Sequence, residues 1–226
     1  MQIDSVIDAA LKAGTAVQQG RYVVLGEEIC SIRLPEITTK TALDAPEIKV
    51  STTAFDQFAA DGYEGCYLQD ASVIFKERDP SPAGNDSFLR FYAAHILSGD
   101  LTFYGDSPLQ TPPGLQVLMG DCGKVAKAKD IARSQSFITD ENFAKYVRWQ
   151  MAQTPCSDAR GTPTAMQFTA EMQGADLTSE KKIDPPINAW LWFEFDLIAM
   201  AAGWREGMSW TAKGNLRPPL CHYVQG

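Results

Sequence analysis

The sequence predicts an α+β fold, with a mixed N-terminal half of short strands and helices, a mainly helical C-terminal half and long irregular loops. Three observations lead there. Helix-spaced and strand-like segments come in blocks without a regular β-α alternation. The joining segments are long for 226 residues. With 45% hydrophobic and 21% charged residues the chain can bury a full core. No internal repeat or low-complexity tract occurs, so residues 1–226 are read as a single domain. A weak subdivision near residue 115 is possible in principle but has no linker to support it.

The elements follow in order. Val6, Ile7, Ala10, Leu11 and Val17 suit one face of a helix over 4–19 that stops at Gly20. Tyr22 to Leu34 is rich in β-branched and aliphatic residues and reads as a strand, with Gly26 as a bulge and Pro35 as its end. Glu47 to Ser51 reads as a shorter strand, and residues 35–46 between the two as a loop or an edge segment. Thr52 or Thr53 suits the cap of a short helix that turns Phe55, Phe58 and Ala59 inward and ends at Gly62. Cys66 to Lys76 reads as extended, and residues 77–87, with two prolines and a glycine, as a surface loop.

Phe88, Phe91, Tyr92, His95 and Ile96 fall at i, i+3, i+4, i+7 and i+8, which predicts a helix from Asp86 or Ser87 to Gly99. A short strand at 100–105 and a turn-rich loop at 106–114 follow, then an apolar segment of undecided type at 115–119. Helices are expected over about 124–134, weakly around 165–172, and over the apolar run Ile187 to Ala202. A stronger one from Thr139 has Asp140 and Glu141 at its positive end and a core face of Phe143, Tyr146, Val147 and Met151.

A net charge of −8 argues against a nucleic-acid partner. The one basic cluster, Lys124, Lys127, Lys129 and Arg133, spreads around a helix and is interrupted by Asp130. The first twenty residues lack a signal peptide's cationic start and apolar stretch, so the expected location is cytoplasmic, or periplasmic or secreted if a leader has been removed. The run 187–202 is short for a membrane span and contains Glu194 and Asp196, so no membrane partner is expected. Cys30, Cys66, Cys122, Cys156 and Cys221 include no C-x-x-C pair, and the spacing favours buried free thiols over a disulfide framework. No metal or cofactor is expected.

Each catalytic pattern is incomplete. Gly105-Asp106-Ser107, after a strand, resembles the nucleophile turn of GDSL-type hydrolases. That family places an Asp three residues before a late His, where this chain has Pro219 before His222. Gly120 to Val125 has a Gly-Lys pair, but Leu118 and Val125 stand where a phosphate loop needs glycine and Ser or Thr. His95 lies on an apolar helical stripe, which suits a hydrogen-bonded core or boundary histidine. His222 cannot pair directly with its neighbour Cys221, so a Cys-His hydrolase would need a distant pairing such as Cys66 with His95. Glu194 and Asp196 diverge by about 200° on a helix, too far apart to act as an acid pair.

The remaining feature is the stretch Gly203 to Trp210. Trp204, Arg205, Met208 and Trp210, with Tyr223 nearby in sequence, are of the types enriched at the centres of protein interfaces. Burial of both tryptophans in the core is the competing reading. The segment's glycines and the late cysteine also resemble a family of periplasmic immunity modules, which implies an exported inhibitor-binding protein. The leading expectation is a non-enzymatic subunit acting through a protein partner or as a homo-oligomer, without a cofactor. A small Ser- or Cys-dependent hydrolase is the alternative, as is the immunity-type protein.

Overall fold

The computed structural model describes residues 3–19, 22–26, 30–103, 113–153, 190–202 and 221–223. Among these the α+β class holds, with helices joined by small antiparallel sheets. The described residues group into two compact units, one within 3–34, 139–153 and 221–223, the other within 35–138 and 190–202. Residue 115 opens a strand inside the sheet of the second unit.

In the first unit α1 (Ile3–Ala13) buries Ala10. The expected continuation to residue 19 fails at Gly14, whose φ of 73° lies in the left-handed region that glycine enters without steric cost. Thr15 then donates from both its amide and its hydroxyl to the Ala10 carbonyl and closes the helix end. Val17, assigned above to the helix's apolar face, instead lies 58% exposed on strand β1 (Ala16–Gln19). β1 pairs antiparallel with β2 (Tyr22–Leu25), and the Gly26 amide extends the ladder to the Thr15 carbonyl.

The single strand expected over 22–34 is two strands with different partners. β3 (Cys30–Ile32) pairs with β7 (Cys221–Tyr223) in the register Cys30 to Tyr223 and Ile32 to Cys221. The helix expected from Thr139 is α6 (Asp140–Gln153), which packs on β3 and buries Phe143, Tyr146 and Val147. The Asp140 carboxylate accepts the Leu34 amide at 2.8 Å, so the acidic residue at the helix start also anchors the chain leaving β3.

The second unit opens with residues 35–45 free of helix and strand, as expected. The strand expected over 47–51 is instead the short helix α2 (Pro46–Lys49). Pro46 presets the first-turn dihedral, and Ile48 is fully buried while Val50 is 82% exposed, so the two do not share one buried face as they would on a strand. Thr53 caps no helix. It is buried, donates its amide to the Tyr67 carbonyl and accepts the Tyr67 amide on its hydroxyl, leaving only a 3₁₀ turn at Ala59–Asp61.

Strand β4 (Cys66–Leu68) is edge to β6 (Leu115–Val117), which also pairs β5 (Leu101–Thr102), giving the order β4-β6-β5, all antiparallel. The extended segment expected to reach Lys76 ends early, because the Asp70 carboxylate accepts the Ser72 amide at 2.8 Å and starts α3 (Ser72–Arg78). A bond from the Ser72 side chain, together with that from its amide, holds the Asp70 carboxyl below its usual range.

The loop expected over 77–87 is largely helix. Ser81 caps α4 (Pro82–Leu97) by accepting the Ala83 amide, and Pro82 fills a first-turn position. Gly84 is the residue that makes this stretch look like a loop. It is required because a Cβ there would collide with the Asp79 carbonyl, so only glycine lets α4 start this close to the end of α3. The face predicted for α4 is present: Phe91, Tyr92 and Ile96 are buried, and the helix stops before Gly99. Phe75 of α3 meets Phe88 and Phe91 at ring-centroid distances of 5.9 and 5.2 Å. The run ending at Ala202 is α7 (Trp190–Ala201), which packs along α4.

The helix expected at 124 starts only at α5 (Ala128–Gln135), behind a 3₁₀ turn at Gly120–Gly123. That turn carries the clearest departure from expectation, since Cys66 and Cys122 form a disulfide (S–S 2.02 Å, Cα–Cα 5.3 Å) and are not free thiols. Their separation of 56 residues hides the pairing in the sequence. Sheet register explains it: Val117 lies opposite Cys66, and the turn after Leu118 brings Cys122 back to the start of β4. Closing a loop of this size restricts the unfolded chain by about 4 kcal/mol. The Cys66→Ser, Cys122→Ser double variant is therefore expected to lose about that much stability in a denaturant melt, and a loss below 1 kcal/mol would contradict this role for the bridge.

Candidate functional site

The polar centre of the second unit is Glu194. Along α7 the residues Leu191, Glu194, Phe195, Ile198 and Ala199 are all buried, at i, i+3, i+4, i+7 and i+8, so the carboxyl belongs to the apolar stripe itself. Only 3% of Glu194 is exposed. Its Oε1 accepts two hydrogen bonds from the end of β5, one from the Thr102 hydroxyl at 2.7 Å and one from the Phe103 amide at 2.8 Å. Burial raises its pKa to about 7, an effect opposed by the Phe103 and Thr102 bonds. Thr102 is itself 1% exposed, and the Phe103 ring lies 6.2 Å from that of Phe193 on α7. Asp196, two residues on, is half-buried, and the helix directs it away from Glu194, as expected for this pair.

His95 sits at the boundary of α4, also as expected. Its Nε2 lies 3.1 Å from the Thr41 carbonyl, an acceptor, and so carries the hydrogen. Nδ1 is 3.5 Å from Asp100, whose carboxylate accepts the Ser98 hydroxyl at 2.6 Å, and the Phe91 ring packs edge-on against the imidazole. Tyr92, one turn earlier, accepts the Ala71 amide and donates to the Gln69 carbonyl, and burial raises its phenol to about 12. These contacts tie α4 to the coil before α2 and to the loop before α3.

Cys66 is corrected as a nucleophile, because its sulfur is bonded to Cys122 and a disulfide sulfur is no thiolate. Ser107 and Cys156, together with Trp204, Arg205, Met208 and Trp210, lie outside the described residues. The backbones of His222 and Tyr223 are in β7, opposite Ser31 and Cys30. Of the basic cluster, Lys124 pairs with Asp121 at 2.6 Å on the surface. Among the described residues no cluster of His, Cys, Asp and Glu has the makings of a metal site, and no helix is long and apolar enough to cross a membrane. No known family model, curated protein or solved structure matches the chain.

From the sequence Glu194 reads as half of an acid pair and as a charge within an apolar run, and its role at the junction of α7 and β5 is missed. The signal was present in the helical spacing of Leu191, Glu194, Phe195 and Ile198, which is the pattern that revealed α4. Its partners, more than 90 residues earlier in the chain, were not legible. At pH 6, Glu194→Ala should cost about 3 kcal/mol, because it opens a cavity and strands two buried donors, whereas Thr102→Val should cost about 1 kcal/mol. Denaturant melts of the two variants would check this ranking, which fails if the alanine variant is the more stable of the pair.

Proposed function

We propose that this chain is a non-enzymatic binding protein that acts through a protein partner or a second copy of itself, with the segment Trp204, Arg205, Met208 and Trp210 as its contact surface. The observation that carries this reading is the use made of three reactive side chains among the described residues. Cys66 is spent in a disulfide, His95 bridges the Thr41 carbonyl and Asp100, and the Glu194 carboxyl is buried against β5. Each works as a structural tie.

The disulfide supports one refinement. Bridges of this kind persist in oxidising compartments, which favours a periplasmic or secreted protein over a cytoplasmic one and with it the inhibitor-binding reading.

The Trp204→Ala, Trp210→Ala variant should stay folded and lose association by more than tenfold, as read by native mass and partner titration. Undiminished association in the folded variant would place the contact surface elsewhere. Stoichiometric labelling of a single serine or cysteine by a mechanism-based probe, lost on denaturation, would favour the hydrolase. For the compartment, denatured protein isolated without reductant should expose at most three of its five thiols. Five reactive thiols would rule out the oxidising location.

A further inference from the structure

The junction between α7 and β5 joins two segments far apart in the chain through one carboxyl group. The Thr102 hydroxyl and the Phe103 amide both donate to the same oxygen, Oε1, the first from the last residue of β5 and the second from the residue that follows it. In the neutral acid Oε1 is the carbonyl oxygen and accepts both bonds while Oε2 carries the proton. In the ionised form the same site holds a full negative charge on a residue of which only 3% is exposed.

The ionisable groups on the elements packed against α7 have other engagements. On α4, Tyr92 bonds to Ala71 and Gln69, His95 faces Thr41 and Asp100, Arg90 is exposed and Asp86 is half-buried. Asp100, just before β5, accepts the Ser98 hydroxyl. Asp196, the other acid of α7, points away from Glu194 along the helix.

We propose that Glu194 is a proton-controlled latch, holding the end of β5 firmly against α7 when neutral and loosening that junction when ionised. The direction follows from linkage. Burial raises the folded-state pKa from 4.5 to about 7, so the folded form binds the proton more tightly than the unfolded form. The stabilisation is complete below pH 4.5 and is lost as the pH rises through 7. Between pH 6 and 8 the equilibrium holding the junction closed should fall about tenfold on this account alone. The latch concerns the folded unit and does not depend on which partner the protein binds.

The test compares wild-type protein with Glu194→Gln, which keeps an oxygen at the Oε1 position and cannot ionise. The readout is the hydrogen-exchange protection of the Phe103 amide, corrected for the intrinsic pH dependence of exchange, at pH 6 and pH 8. Wild type should lose about tenfold protection across this range and the glutamine variant essentially none. Equal losses in both proteins, or a wild-type amide whose protection stays level or rises, would overturn the latch. If the variant does not fold, a carboxyl-carbon titration of Glu194 in wild-type protein decides: a midpoint near 7 that coincides with the loss of Phe103 protection supports the proposal, and a midpoint below 5 overturns it.

Discussion

Helix α7 reaches the second unit from the far end of the sequence, and its apolar stripe lies along α4. The rest of that unit is arranged around this contact. α4 carries the aromatic residues that meet Phe75 of α3, and α7 closes the opposite side with Leu191, Phe195, Ile198 and Ala199. Three short strands with few residues each cannot form a core alone, so the sheet depends on the helices that cover it. Burial of side chains such as Phe91, Ile96 and Ile198 contributes about 1.5 to 3 kcal/mol each. Glu194 is the polar exception in this contact and also its positional marker, because its two bonds to β5 favour one register of α7 over others that would bury the same apolar residues.

The disulfide serves the other edge of the sheet. Cys66 opens β4, and the bridge to Cys122 returns the turn after β6 to that strand. Around it, Glu64 accepts the Ala126 amide on its carboxylate and the Gln116 side chain on its carbonyl. A sheet this small is held at one side by a helix and at the other by a covalent link. His95 and Tyr92 then connect loops to α4, and the buried acid connects α7 to the end of β5.

The legible parts of the fold were those in which a single element declares its own burial. The α4 stripe and the α6 core face follow from 3.6-residue spacing alone, and α7 from the length and composition of its apolar run. The errors share a cause, in that local composition competed with a tertiary contact the sequence does not display. Gly84 and the prolines near it look like a loop until the close approach of Asp79 is known. Val50 imitates strand alternation because nothing local says it faces water. Thr53 resembles a helix cap, but Tyr67 claims both its amide and its hydroxyl. The disulfide and the Thr102–Glu194 bond are hidden for the same reason, since they join residues 56 and 92 positions apart. The aromatic segment after α7 was singled out from composition alone and remains the basis of the functional proposal.

The pairing of β3 with β7 has a consequence for how the chain is made. β3 lies near the start of the sequence and its partner strand near the finish, so on the ribosome β3 emerges long before Cys221 to Tyr223 exist. Over that interval one side of β3 presents unpaired backbone donors and acceptors, the kind of edge that recruits other nascent strands. Helix α6 arrives earlier and can shelter β3, while the second unit still awaits α7. Both units therefore close through long-range pairings of high contact order, which form slowly and leave β3 open to such encounters in the meantime.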